Sequence, residues 1–552
     1  MHRLSFLILS AAAWAGASHA AEVDVQLRLL AADALEVSYT LPPACQGLAF
    51  LKDGDAGRET RTGWQAQGQE GVAGADRLER RGESSGPAPA TLRFRVPATP
   101  RHIGFPAAFP VGQGLYVHLS NYAVDGSCGM VTYRLAAPGI AVGGKAYRDA
   151  AMATEGADAA ALLLMAPLPD RVGAVPAYFD PRLPAAAVAQ IRAVADGTVE
   201  VLHGALPHAR FTRPIMAAAY AEEPGGPNIG GDAAGVLRLA LFNWPREAGP
   251  NEQAQLIRLV SHEFSHRFQL RDAVDVYPDA RLIHEGGGEF LRWMVSLQKG
   301  WLTPAQAAAD LDQALADCML YTEGRSWRSL PAREIAVDRL AYRCGLPAWV
   351  YTLAARQGRG TAFLRVDGFY RELGAGRQPD FARALECGAT PACRARRLPA
   401  LLGADDSMET QWAALFGETG LAAPVAPTLA QKNAMVLRAM IKLMKDDCGG
   451  ASGTTETPDG IILDGMKSCK TFTRDAYVTT IEGLPVFGDP ATGPAMTAAC
   501  TARHVLVLGL KDGGTLGAPC PEPYRMRTAF YQVNIDKVLT ALRRAESTPD
   551  GR

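Results

Sequence analysis

Apolar and polar positions alternate in short runs through the first quarter of the chain: "VDVQLRLL", "ALEVSYTL", "TLRFRVPA" and "GLYVHLSNY". Period-two alternation places successive side chains on opposite faces of a strand. Turn-rich stretches such as "RRGESSGPAPA" separate the runs. The pattern predicts an N-terminal β domain, a β-sandwich, over residues 21–145, with a loose stretch "GGKAYRDAAMATEGADA" at its end.

The period changes near residue 160. "AAAVAQIRAVADGTVEVLHGAL" reads as a helix, and "GVLRLALF" as a compact strand after the glycine-rich "PGGPNIGGDAAG". Leu256, Leu259, Val260 and Phe264 recur at helical spacing and predict a helix from about Asn251 to Leu270. A second helix is expected from Leu282 to Gln298, stopped by Gly300. Thr303, Pro304 and Gln306 form a capping-box signature for a third, over residues 304–320. Helical patterns continue to a linker, "GLAAPVAPTLAQ", which closes a domain of residues 160–425. Residues 430–552 mix a helix, short strands and a final helix, "VNIDKVLTALRRA", and predict a small α+β module. The fold class expected is multidomain α+β.

Composition narrows the setting. The 552 residues carry a net charge of −1, which gives no electrostatic case for nucleic acid. The start, "MHRLSFLILSAAAWAGASHA", has Arg3, a short apolar run and the ending Ser18-His19-Ala20. It reads as a signal peptide over residues 1–20, and no later apolar run is long enough to span a bilayer. An exported protein, periplasmic or secreted, is expected. Ten cysteines without a C-x-x-C fit disulfides in an oxidising compartment. Pairing within regions is expected: Cys45 with Cys128, Cys318 with Cys344, Cys387 with Cys393.

The chemistry centres on "SHEFSHRF". His262 and His266 are four apart and share one helix face, so they can converge on one metal ion. Glu263 is rotated off that face, where it can reach a water instead. A catalytic zinc takes three protein ligands and keeps one position open. Glu285 follows His266 after eighteen intervening residues, in "LIHEGGGEFLRW", and supplies the third. Glu289, one turn further on, can orient a ligand histidine. Glycines 286, 287 and 288 interrupt a helical pattern at about 1 kcal/mol each against alanine, which implies close approach of another element. His118, His203, His208 and His504 lack partners at ligand spacing and read as structural.

His-Glu-x-x-His, eighteen residues, then a Glu-Gly-x-x-Glu helix resembles the gluzincin zinc metallopeptidases, with the spacing of the aminopeptidase N and leukotriene A4 hydrolase family. His284 stands where that family has asparagine. The resemblance implies a thermolysin-like catalytic domain, one Zn2+ per chain, a peptide or protein substrate, and Glu263 as general base. It also implies a tyrosine that stabilises the oxyanion. Tyr342, in "YRCG", lies 57 residues past Glu285 and fits better than Tyr321. The family's Gly-x-Met-Glu-Asn segment is replaced by "EEPGGPNIGGDAAGVLRLALF" and lacks the matching glutamate. There, Gly225, Gly226 and the strand at 236–242 are expected to form the edge on which an extended peptide lies. The layout is similar to the glycyl aminopeptidase-like family, and "VTTIEGLPVFGDPATG" resembles a PDZ segment. Two competing readings share these residues: an inactive binding protein on the peptidase fold, and a zinc hydrolase of a non-peptide bond.

Overall fold

The computed structural model describes residues 22–543 apart from 69–70, 75, 81–89, 102–103, 155–158, 169–175, 338, 356–359, 380, 382–407 and 451. The expected signal peptide and the Cys387–Cys393 pairing lie outside the described residues. The chain divides into two compact units: residues up to 196 with 212–263, and residues 197–211 with 264–552.

The first unit opens with β1 (Glu22–Ala31), β2 (Ala34–Leu41), β3 (Gly47–Ala49), α1 (Gly54–Arg61), β4 (Gln65–Ala66), β5 (Gly71–Ala73), β6 (Arg77–Arg80) and β7 (Ala90–Pro97). β8 (Ala108–Pro110), β9 (Gly114–His118), β10 (Met130–Val142), β11 (Lys145–Ala153) and β12 (Ala160–Leu164) follow. One sheet has the order β4-β7-β2-β1-β10-β12-β9-β8, with β11 added to β10. β3, β6 and β5 form a separate three-stranded sheet.

A four-stranded sheet then forms from β13 (Ala177–Phe179), β14 (Ile215–Ala221), β15 (Asn228–Ala233) and β16 (Val236–Phe242), in the order β13-β14-β16-β15. Alternation explains how these layers stack. Leu115 and Val117 of β9 join a core with Leu48, Phe50 and Leu78, on the side of the three-stranded sheet. Tyr116, between them, joins a second core with Ile215, Ala217 and Val236 of the four-stranded sheet. β9 and β12 are covered on both faces, so "GLYVH" and "AALLL" are buried at every position.

Three expectations need correction here. The β region runs to Leu164 instead of 145, and its main sheet is covered on both faces at β9 and β12, whereas β1 and β7 bury one face only. The stretch expected to be loose contains β11, which pairs antiparallel with β10. Most of its side chains are exposed, so no apolar alternation marks it. The strand at 236–242 is not an edge. β16 is paired on both sides, and the edge is β15, "NIGGDA". Its glycines depress strand propensity, which is why it reads as a loop.

Two helices run from the first unit's residues into the second's: α2 (Ala185–Ala205) and α3 (Pro250–His266). The second unit continues with α4 (Arg271–Val274), α5 (Ala280–Gln298), α6 (Pro304–Thr322), α7 (Ala332–Val337), α8 (Leu340–Ala355) and α9 (Ala362–Gly374). Gly300 ends α5's turn at φ +69°, and Thr303 caps α6 with a capping box, both as expected.

The glycines of α5 do admit another helix. A Cβ on Gly345 of α8 would stand 2.3 Å from the Gly286 Cα, and one on Gly286 would stand 2.8 Å from the Gly345 Cα. Trp349 of α8 adds an indole N–H donated to the Leu282 carbonyl at 3.1 Å. Gly345→Ala is therefore expected to destabilise the protein by about 1–3 kcal/mol through overpacking against backbone that cannot yield. Denaturant unfolding of the variant beside the parent reads this directly.

The C-terminal part comprises α10 (Met408–Thr419), β17 (Ala422–Val425), α11 (Leu429–Asp447), β18 (Thr454–Thr457), β19 (Gly460–Leu463), β20 (Ala476–Ile481) and β21 (Leu484–Pro485). It ends with α12 (Thr492–Arg503), β22 (Val505–Leu510), β23 (Thr515–Pro519), β24 (Phe530–Val533) and α13 (Ile535–Leu542). The six strands β18 to β23 form one antiparallel sheet with its own core, to which α11 contributes Met440 and Met444. The last elements leave this module. β24 pairs with β17, and Phe530, Val538 and Leu542 are buried in the helical core with Leu353 of α8.

Cys45–Cys128 and Cys318–Cys344 are bonded as expected, and Cys448–Cys469 and Cys500–Cys520 staple the C-terminal module. These bonds fit an oxidising compartment. No helix among the described residues is long and apolar enough to cross a membrane.

Candidate metal centre

The site begins with helix periodicity. α3 carries His262 and His266 on successive turns and ends at His266. Both rings are buried. The chain then reverses through Leu270, at φ +50°, and α4 into α5, which brings back Glu285. Nε2 of His266 lies 3.3 Å from Oε2 of Glu285. One ligand atom from each of His262, His266 and Glu285 lies within 4.8 Å of the others.

That donor set is two imidazoles and a carboxylate, the chemistry a catalytic zinc site requires. Three lone pairs this close repel one another unless a cation lies among them, and a single proton cannot serve all three. The residues present fit a divalent metal ion.

The remainder of the site orients these ligands. Nδ1 of His266 lies 2.6 Å from Oε1 of Gln269, whose Nε2 donates to the His284 carbonyl at 3.0 Å. The His284 ring stacks on that of His266, with centroids 4.0 Å apart and planes within 7°. Burial and the adjacent His266 push the His284 imidazole down to about 3, so it is neutral at physiological pH. Glu289 is buried, and its Oε2 accepts from Nε and Nη2 of Arg292 at 2.9 and 2.5 Å. Arg292 in turn donates to Asp310 at 2.8 Å.

Glu263 is buried on the turn that carries His262. Edge strand β15 passes beside it: a Cβ on Gly231 would stand 3.2 Å from both Cγ and Oε1 of Glu263. The next residue, Asp232, is anchored in the opposite direction. It accepts from buried Arg238 at 2.8 Å and from the hydroxyl of Tyr116. Burial, followed by the Asp232 charge, raises the Tyr116 phenol well above its ordinary range, so it stays a donor. Gly225 and Gly226 lie in the turn before β15, where the Asn243 amide donates to the Gly225 carbonyl at 3.2 Å.

Tyr342 is half-buried in the first turn of α8. The Arg339 guanidinium stacks over its ring at 4.8 Å. Gly345, three residues on, is the glycine that touches Gly286, so this segment is fastened to α5 one residue past Glu285. Tyr321 is enclosed instead by Arg343 and Arg438, each 4.0 Å from its ring centre, and is a packing residue.

Three of the histidines read as structural have ordinary partners. His118 bonds Ser120 at 2.7 Å, His203 packs edge-on against Phe211 and Phe268, and His208 bonds Asp367 at 2.6 Å. Sequence reasoning missed Gln269, the β15 edge and the Asp232–Arg238 anchor. A glutamine three residues past the second histidine carries no periodic signal. Glycines before an acidic residue also give no sign of an edge strand.

No protein-family model matches the chain. No curated protein matches it either. Among solved structures, an aminopeptidase N family protein from Idiomarina loihiensis aligns over 94% of this chain and 99% of its own, with TM-score 0.50 and 12% identity. An M1 zinc metallopeptidase from Deinococcus radiodurans, bound to a Tyr-Ser-Ala substrate, aligns over 69% of this chain and 93% of its own, with TM-score 0.33 and 16% identity. Native leukotriene A4 hydrolase from Saccharomyces cerevisiae aligns over 78% and 72%, with TM-score 0.35 and 13% identity. The likeness to the Idiomarina protein shows a shared fold.

Proposed function

We propose that this chain is a zinc-dependent peptidase of gluzincin type. The observation that carries the reading is the convergence of His262, His266 and Glu285, one ligand atom from each within 4.8 Å of the others. The shared fold with an aminopeptidase N family protein supports it. His262, His266 and Glu285 would hold the zinc ion, which would supply Lewis acidity for attack of water on a carbonyl.

The chain's own residues do the rest. Glu263 takes the proton from the attacking water and passes it to the leaving amine. An extended peptide lies along the outer side of β15, where bare Gly231 lets its backbone come close to Glu263. Gly225 and Gly226 form the turn that leads the substrate onto that edge. Tyr342 donates to the oxyanion, an interaction stronger in the transition state than in the ground state. Glu289, held by Arg292, keeps a ligand ring oriented. The antiparallel sheet packed by α11 and α12 carries the segment that resembles PDZ.

Tyr342→Phe removes one oxyanion donor. It is expected to lower kcat about 10²–10³-fold with little change in KM. A peptide library incubated with parent and variant gives both the rate and the cleavage position. A zinc-loaded parent that cleaves no peptide in the library contradicts the reading and leaves the binding-protein or non-peptide alternatives.

A further inference from the structure

We infer that Gln269 is a positioning residue that sets the tautomer and plane of the His266 ring, and that residue 287 is glycine to admit its amide. This rests on the zinc reading above. Donor and acceptor chemistry fixes which way the Gln269 amide faces. The His284 backbone carbonyl accepts and cannot donate, so the Gln269 end facing it at 3.0 Å is the amide nitrogen. The amide oxygen therefore faces Nδ1 of His266 at 2.6 Å. That oxygen only accepts, so Nδ1 carries the proton. A neutral imidazole protonated at Nδ1 keeps its lone pair on Nε2, the nitrogen 3.3 Å from Glu285.

Two further features fit no other purpose as well. Gln269 is fully buried, which a glutamine tolerates only when both ends of its amide are bonded. A Cβ on Gly287 would stand 2.5 Å from Nε2 of Gln269 and 3.0 Å from the Trp349 ring. Alanine there pushes the amide out of line. Close helix packing accounts for Gly286, whose Cβ would meet Gly345, whereas the nearest obstacle at Gly287 is the Gln269 amide. His284 stacks on the ring that Gln269 bonds, so plane and tautomer are fixed by the same pair of residues.

The test uses the zinc-loaded protein with 15N-labelled histidine. Long-range nitrogen–proton spectra assign which ring nitrogen of His266 carries the proton. We expect Nδ1–H; a proton on Nε2 with metal on Nδ1 overturns the inference, whether or not any variant folds. Chelator competition then gives zinc affinity for Gln269→Leu and Gly287→Ala, each expected to fall about 10–100-fold. Parental affinity in folded Gln269→Leu also overturns it. A parent that takes up no zinc is a different result: it removes the zinc reading, while the tautomer stays readable in the metal-free protein.

Discussion

A Glu263→Gln variant is expected to retain its zinc and to hydrolyse peptides about 10²–10⁴-fold more slowly than the parent. The amide is nearly the size of the carboxylate, so the space left by Gly231, whose Cβ would come 3.2 Å from the Glu263 side chain, still accommodates it. Glu263 is not among the three residues that converge on the metal position, so the ligand set is intact. What the amide cannot do is accept a proton at neutral pH. kcat/KM on a cleaved library peptide, measured beside the metal content of the same preparation, separates the two effects. Loss of zinc together with activity would make Glu263 a ligand or a structural group. Unchanged hydrolysis would remove it from the reaction.

Glu285→Ala has the second large effect, on metal binding itself. Its carboxylate is the one negative charge in the donor set, and its Oε2 faces Nε2 of His266. Alanine is the best helix former, so α5 should persist through the change. The zinc affinity is expected to fall by more than the 10–100-fold typical of losing an outer partner such as Gln269. Chelator competition on the two variants gives the ranking. A smaller loss for Glu285→Ala than for Gln269→Leu would mean that Glu285 is not a ligand.

The two proteins that would result fail differently, and that difference follows from what is local in the sequence. His262, Glu263 and His266 lie within one helix, where spacing alone fixes which side chains share a face. Glu285 was legible as well, because a third donor had to follow on the next packed element. Three glycines in a helical pattern announced a close contact, though only the fold shows Gly345 as its partner.

Other features were hidden because their partners are distant or their residues do not look like their element. β15 is a strand by its hydrogen bonds to β16, while "NIGGDA" has the composition of a turn. Gln269 acts through a ring and a carbonyl that only the reversal at Leu270 brings together. The C-terminal helix α13 reads as part of its local module, yet it packs into the helical core because β24 pairs with β17, more than a hundred residues earlier.

In the proposed reaction three side chains from α3 and α5 hold a zinc ion that peptide hydrolysis requires. Elemental analysis of the purified protein, before and after chelation and after zinc is restored, tests it with one preparation. One zinc per chain is expected, with peptide cleavage lost as the metal leaves and regained as it returns. A protein that binds no zinc, or that cleaves peptides equally well without it, is not a zinc-dependent peptidase.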